Sequence, residues 1–415
     1  MKKTKKIIIA ISISISAFLS YSFTDNYFEL SKNLDIFSTL LKELNTYYVD
    51  ETKPGELMKT GIDAMLQSLD PYTNYIPESA IEDYRFMTTG QYGGIGALIH
   101  KDSNEIIVSE PYEGFPAFKA GLKAGDIILK VNENEVEGKN SGDISKLLRG
   151  QSGSSLNVTI KRPNLSEPMV KEIVRENIKI NDVPYFKMLD TEVGYIKLSS
   201  FTQTASKEFI AAFNELKDQG MKELVFDLRG NGGGLLIEAV DIVNIFIPKG
   251  KKVVETRGKL KKWDATYLTR NEPLDIKIPV AILVDAGSAS ASEIVSGTLQ
   301  DYDRAVIVGR QTFGKGLVQQ TRPLSYNAQL KVTVAKYYIP SGRCIQRIDY
   351  SSKDERGKAQ TVPDSLISSF KTVVNNRPVK DGKGIKPDLF TKEESMSMIT
   401  ATLMRSYNIF NYATS

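Results

Sequence analysis

Three short stretches carry residue types that could do chemistry. In Val284-Asp-Ala-Gly-Ser-Ala-Ser-Ala-Ser-Glu293 an apolar strand runs into small residues and then into a helix. Small side chains let backbone approach a ligand closely. The first amides of a helix are unpaired and partly positive, a setting that favours developing negative charge. Ser288, Ser290 and Ser292 all qualify for a nucleophile there. Residue chemistry alone does not choose among them, and a Ser-rich helix cap uses the same residues. In Gly309-Arg-Gln-Thr-Phe-Gly-Lys-Gly316, Lys315 stands between two glycines behind the apolar run Ala305 to Val308. A solvated lysine in a tight turn needs no such frame. A phosphate loop is excluded, because Gly316 occupies the place where that pattern requires Ser or Thr. In Asp227-Leu-Arg-Gly-Asn-Gly-Gly-Gly234, successive glycines can turn amides toward one point as an oxyanion cradle, or simply link a strand to a helix.

Composition narrows the chemistry further. The 415 residues include one histidine, His100, and one cysteine, Cys344, which excludes a His-rich metal site and an internal disulfide. A Ser/His/Asp mechanism would have to use His100, about 190 residues before Ser290, which reads instead as a surface histidine at a strand end. The net charge of +4 is accounted for by Lys2, Lys3, Lys5 and Lys6, so nothing indicates nucleic-acid binding. Those lysines precede an apolar run from Ile7 to about Phe23, with Ser20-Tyr21-Ser22 as a small-x-small site. Residues 1–23 are therefore expected to be a signal peptide or membrane anchor. The chain is expected to be exported, either periplasmic or anchored to the outer face of the inner membrane.

The elements that must position these residues follow from periodicity. Residues 27–88 read as helical, with Leu34, Phe37, Leu40, Leu41 and Leu44 on one face and Pro54 opening a second helix. Residues 89–180 change to short strands with glycine turns, an independent domain. Residues 181–350 alternate strands and helices, which predicts an α/β core. Residues 351–415 are polar and end in an amphipathic helix near Met396 to Asn408, expected to pack on the core or on a partner subunit.

The three stretches, in this order, resemble the C-terminal processing peptidases, or tail-specific proteases. Leu69-Asp-Pro-Tyr, Tyr92-Gly-Gly-Ile-Gly, Ala120-Gly-Leu-Lys-Ala-Gly-Asp, Tyr338-Ile-Pro-Ser-Gly-Arg and Gly384-Ile-Lys-Pro-Asp fit the same family pattern. The resemblance implies a crotonase/ClpP-like α/β protease core with an inserted PDZ domain over 89–180 and an N-terminal helical segment. It implies Ser290 as nucleophile and Lys315, 25 residues later, as general base. Gln319, one turn beyond, would hold the lysine, and the amides of Gly234 and Ala291 would form the oxyanion hole. Gly94, Ile95 and Gly96 would bind a peptide C-terminus, and Arg149 would couple the PDZ domain to the active site. No metal or cofactor is implied. The implied partners are polypeptides held by their C-termini and a second copy in a dimer, with room for an activating adaptor. Two other readings use the same chain. One is a catalytically silent PDZ scaffold. The other is a crotonase-type acyl-CoA enzyme, which would need neither the PDZ domain nor the export segment.

Overall fold

The computed structural model describes residues 27–392 and 396–414, so the segment read as a signal peptide or anchor lies outside the described residues. The chain divides into two units, Met1–Pro71 and Tyr72–Ser415. In the first, a helix over 27–47 is followed by one at Pro54–Gln67. Pro54 opens the second helix, where a missing amide costs no hydrogen bond. Phe37 reaches over Gly61, 3.9 Å from where a Cβ would stand, yet Leu34, Phe37, Leu40 and Leu44 all stay exposed. Among the described residues no helix is long and apolar enough to cross a membrane.

The second unit begins with a strand, Asn74–Ile76, inside the stretch read as helical; only Ile81–Thr89 is α-helix there. Three residues are too few to display a period, and the strand exists because it pairs with Gln329–Lys331. The chain then enters a β-rich domain through Gln91–Gly94 and leaves through Glu176–Lys179, two antiparallel strands that form a neck. Beyond the neck lie strands Ala97–Asp102, Glu105–Pro111, Ile127–Val131, Ser155–Lys161 and Met169–Val174, in that order across one sheet. Helices Pro116–Lys119 and Ser141–Leu148 accompany it. Ile106, Val108, Ile144, Val158 and Ile160 form its dry centre. Asn140 caps the longer helix by accepting from the Asp143 amide at 3.0 Å.

The core sheet runs Tyr185–Met188, Val193–Lys197, Glu223–Asp227, Val280–Val284, Val306–Gly309 and Leu389–Phe390. All neighbours are parallel except the first pair. The near-continuous apolar strands Val280–Val284 and Val306–Gly309 suit a sheet covered on both faces. Helices Ala205–Asp218, Leu236–Asn244 and Ala291–Asp301 bury Phe209, Phe213, Val243 and Val295 in the same core as Phe226 and Phe246. A second sheet joins Asn74–Ile76, Gln329–Tyr338, Lys252–Gly258 and Ala265–Leu268, with Leu317–Pro323 also paired to Gln329–Tyr338. The buried Arg343–Asp301 pair at 2.9 Å and the Arg377 bonds to Asp303 and Asp388 fasten the later chain to this core.

The final residues form two helices, Met398–Arg405 and Asn408–Thr414. They meet the β-rich domain. The Tyr407 ring stacks on His100 at 4.0 Å, the Phe410 edge lies 5.0 Å from it, and Asn411 donates to Asp102 at 3.0 Å. His100 is accordingly buried, not the surface histidine its strand-end position suggested. The covering rings come from some 300 residues away, a contact that no local pattern encodes.

Candidate active site

The three loops singled out by residue type leave the carboxyl ends of three adjacent parallel strands, where open α/β sheets hold their ligands. Asp227 ends the first strand. Burial alone would raise its carboxyl, yet the Arg229 guanidinium (2.8 and 3.0 Å) and the Tyr195 hydroxyl (2.6 Å) hold it below the usual carboxylate range. Asp285, after the second strand, ties the first loop to the second by accepting from the amides of Gly230 (2.9 Å) and Gly287 (2.9 Å).

The structure separates the three serines that residue chemistry left equivalent. Ser288 is fully buried and donates to the Leu228 carbonyl at 2.8 Å. Ser292 is also fully buried and donates to the Asn231 carbonyl at 2.8 Å. Both hydroxyls are spent on fastening the glycine loop to the helix start. Ser290 alone is partly exposed, and it caps helix Ala291–Asp301 with φ 56° and ψ −112°. A non-glycine residue held there costs about 1–3 kcal/mol, and such strain persists only where surrounding bonds enforce it.

Those bonds come from Glu293, which the sequence reading quoted without giving a role. One carboxylate oxygen, Oε2, accepts the backbone N–H of Ser290 at 2.9 Å and that of Lys315 at 2.8 Å. The other, Oε1, accepts from the Thr312 hydroxyl at 2.6 Å and the Gly314 N–H at 2.7 Å. Complete burial pushes this carboxyl up to about 7, against four donors that favour its charged form. Tyr337 makes a second bridge. Its buried hydroxyl points at the Lys315 carbonyl and, 3.2 Å away, at the Ser290 carbonyl, sharing one proton between them. Burial keeps that phenol well above its ordinary value, so it remains a donor. Residues 290 and 315 are thus stitched together through amides on one side and carbonyls on the other. The signal for Glu293 was available, since Ser-x-x-Glu at a helix start is the capping-box spacing. Nothing local marks Tyr337.

The glycines around Lys315 are required by close approach. A Cβ on Gly314 would stand 2.6 Å from the Arg347 Cβ, and one on Gly316 would stand 2.9 Å from the Gln346 amide. Lys315 itself is half-buried, with Nζ 4.3 Å from the centre of the Tyr72 ring. Gln319 lies on strand Leu317–Pro323 rather than one helical turn beyond the lysine. Its Nε2 donates to the Thr333 hydroxyl at 3.2 Å.

Opposite Ser290 stands the glycine loop. A Cβ on Gly233 would lie 2.9 Å from both the Ala291 amide and the Ser290 Cβ, so the loop and the helix start are in direct contact. A single β-bridge seats Gly234 beside Phe201. That bridge uses the amides of Phe201 and Leu235 and leaves the Gly234 amide out. The Ala291 amide, at the first helical position, has no acceptor within its own helix.

In the β-rich domain, Ile95 and Gly96 follow the strand that contains Gly94. Their carbonyls accept from Ala117 and Tyr112, and among the described residues their own amides join no backbone bond of turn or loop. Phe115 packs against Gly96, where φ is 70° and a Cβ would collide at 2.4 Å. Arg149 ends helix Ser141–Leu148 and lies over two rings at the neck, Phe86 (5.3 Å) and Tyr92 (4.9 Å). Phe86 belongs to helix Ile81–Thr89, whose Tyr84 hydroxyl is hydrogen-bonded to that of Thr321, on the strand that carries Gln319.

Comparison with known proteins agrees with this architecture. A family model described as peptidase family S41 matches residues 192–352, and one described as a PDZ domain matches residues 107–162. A carboxy-terminal-processing protease of Bartonella bacilliformis is 36% identical over 329 residues, 78% of this chain and 75% of that one. A Staphylococcus aureus protein named "Probable CtpA-like serine protease" is 37% identical over 315 residues, 75% of this chain and 62% of its own length. Among solved structures, the photosystem II D1 C-terminal processing protease aligns over 89% of this chain and 95% of its own, at 26% identity and a TM-score of 0.46. The chain belongs to peptidase family S41, the C-terminal processing serine proteases, and carries a PDZ domain.

Proposed function

We propose that the chain is an exported serine endopeptidase that holds polypeptides by their C-termini and cleaves them with a Ser290/Lys315 dyad. The observation that carries the dyad is the double bridge, Glu293 on the amides and Tyr337 on the carbonyls, which holds the two residues in one site. A free lysine has a pKa near ~10.4, and lowering it by roughly three units costs about 4 kcal/mol, which exclusion of water around the amine would supply. Neutral Lys315 accepts the Ser290 hydroxyl proton as the oxygen attacks the peptide carbonyl. The amides of Gly234 and Ala291 receive the developing oxyanion. The lysine then hands its proton to the leaving amine, and water, deprotonated in turn by the lysine, releases the acyl group. Gln319 orients the lysine from the neighbouring strand. No metal or cofactor takes part.

In the PDZ domain, a substrate tail adds along strand Ala97–Asp102 with its carboxylate at the amides of Ile95 and Gly96, beside Gly94. Support comes from the Ile95 and Gly96 amides, which join no backbone bond of turn or loop among the described residues, and from the strand's position at the edge of its sheet. Arg149 couples that event to the protease through Phe86, Tyr92 and helix Ile81–Thr89. The core is of crotonase/ClpP-like type, a reading supported by the parallel strands with helices after Asp227 and Val284. Export to the periplasm or the outer face of the inner membrane rests on residues 1–23. A dimer formed through the exposed apolar face of residues 34–44, and an activating adaptor, complete the proposal.

The test is cleavage of an unfolded reporter with an apolar C-terminus. The parent is expected to cleave it, whereas Ser290→Ala and Lys315→Ala bind it without turnover. Cleavage that survives either substitution removes the dyad, and binding without cleavage by the parent makes the chain a peptide-binding scaffold.

A further inference from the structure

One buried carboxylate, Asp182, has no part in the dyad, yet it sits where three parts of the molecule meet. It lies three residues beyond the exit strand of the PDZ neck, Glu176–Lys179, and is 1% exposed. Its Oδ2 accepts from the Thr202 hydroxyl at 2.6 Å and from the Thr204 hydroxyl at 3.1 Å, and its Oδ1 accepts from the Thr202 amide at 3.2 Å. Its own carbonyl accepts from the Ser199 amide at 2.8 Å. Within loop 199–204 this side chain grips Thr202 twice and shares the Thr204 hydroxyl with Glu208, 3.0 Å away. The same loop also holds the end of helix Ile81–Thr89, which leads into the entry strand of the neck. The Gln203 amide donates to the Thr88 carbonyl at 3.2 Å, and the Thr202 side chain packs within 3.2 Å of where a Cβ on Gly90 would stand.

The middle of that loop is Phe201, and Phe201 shapes the glycine loop opposite Ser290. Its amide donates to the Gly233 carbonyl at 3.2 Å, and its carbonyl accepts from the Leu235 amide at 2.8 Å. Gly234 is pressed so closely on it that a Cβ would stand 2.4 Å from the Phe201 carbonyl oxygen. The direction of the Gly234 amide is thus set by the Phe201 backbone, and the Phe201 backbone is set by the adjacent Thr202 that Asp182 grips. Burial pushes the Asp182 carboxyl up, while the Thr202 bonds hold its charged form.

We propose that Asp182 is a positioning residue for the oxyanion hole, acting through Thr202 and Phe201 on the Gly234 amide, beside the exit strand of the PDZ neck and the helix end that leads into its entry strand. A shift of the exit strand then reaches the oxyanion hole by a route that does not pass through Arg149. The inference rests on the reading of Gly234 as an oxyanion donor. Its consequence is specific: loss of the grip lowers the rate of the chemical step and leaves the ground-state grip on substrate alone.

The experiment compares full-length parent, Asp182→Ala, Thr202→Val and Thr202→Ser on a peptide reporter, with thermal midpoints measured alongside. A peptide aldehyde is the probe of the oxyanion hole, because addition of the serine oxygen to the aldehyde carbon puts the former carbonyl oxygen at the Gly234 and Ala291 amides. Asp182→Ala and Thr202→Val are expected to lower kcat by roughly tenfold or more at unchanged KM, as expected when an oxyanion donor is misdirected. Affinity for the aldehyde should fall in proportion, and the pH midpoint of kcat/KM should not move. Thr202→Ser keeps the hydroxyl and is expected to restore kcat to within about twofold of the parent. Parental kcat in both Asp182→Ala and Thr202→Val overturns the proposal. So does a fall in thermal midpoint with aldehyde affinity intact, which marks a purely structural role. Activity of Ser290→Ala, run as a control, would instead remove the dyad reading on which the proposal rests.

Discussion

Replacing Glu293 with glutamine tests the clamp that joins the two proposed catalytic residues. The substitution keeps the shape of the side chain but leaves one acceptor oxygen where there were two. In the parent, Oε2 serves Ser290 and Lys315, and Oε1 serves Thr312 and Gly314. Whichever way the glutamine amide turns, one pair of donors then faces an NH2 group. Each buried donor left without an acceptor costs about 1–3 kcal/mol, and relief from burying a charge returns part of that. The larger effect is geometric, because a displacement of about 1 Å between reacting groups costs on the order of 10²-fold in rate. The expected result is a kcat lower by about that factor on a peptide reporter, with a modest fall in thermal midpoint. Stability against pH supplies an independent check. The parent carboxyl rises from 4.5 in the unfolded chain to about 7 in the folded one. Between those values the native state binds more protons than the unfolded state, so stability falls as pH rises through the window, by about 3 kcal/mol in all. Glu293→Gln lacks this slope, and the parent's advantage narrows as pH climbs through the same window. Parental kcat in Glu293→Gln, or urea midpoints with the same pH slope in both proteins, would refute the reasoning.

Two further substitutions address neighbouring parts of the site. Tyr337→Phe removes the hydroxyl that joins the Ser290 and Lys315 carbonyls. It is expected to cost about 1–2 kcal/mol of stability and roughly tenfold in kcat, read by chemical denaturation and reporter cleavage. Gly233→Ala places a methyl 2.7 Å from the Ala289 carbonyl oxygen at a φ of 97°. Turnover should fall by about 10²-fold or more while C-terminal peptide binding, followed by fluorescence anisotropy, stays at the parental level.

Much of this molecule can be read from its residues because the chemistry sits on loops with strong local signatures. Gly-Lys-Gly and the glycine run mark places where backbone must pass close to backbone, and the collisions predicted for a Cβ at Gly233, Gly314 and Gly316 show why. The parallel strands read correctly because Val280–Val284 is apolar throughout and is followed by a helix start. What stayed hidden depends on distant partners. The resemblance set Gln319 one turn beyond Lys315, whereas pairing with Gln329–Tyr338 makes it a strand residue. Residue chemistry left the three serines equivalent and only the resemblance pointed to Ser290; the physical difference lies in which hydroxyls are buried against Leu228 and Asn231, some 60 residues earlier. Tyr337 and Asp182 act only through folded contacts, and neither carries a sequence motif.

The stacking of Tyr407 and Phe410 on His100 bears on how titrations of this enzyme should be assigned. Burial lowers the basicity of that imidazole, with Asp102 opposing only in part. It is also the chain's sole histidine. One substitution at His100 therefore assigns any imidazole contribution to an activity profile, because no second histidine exists to supply it.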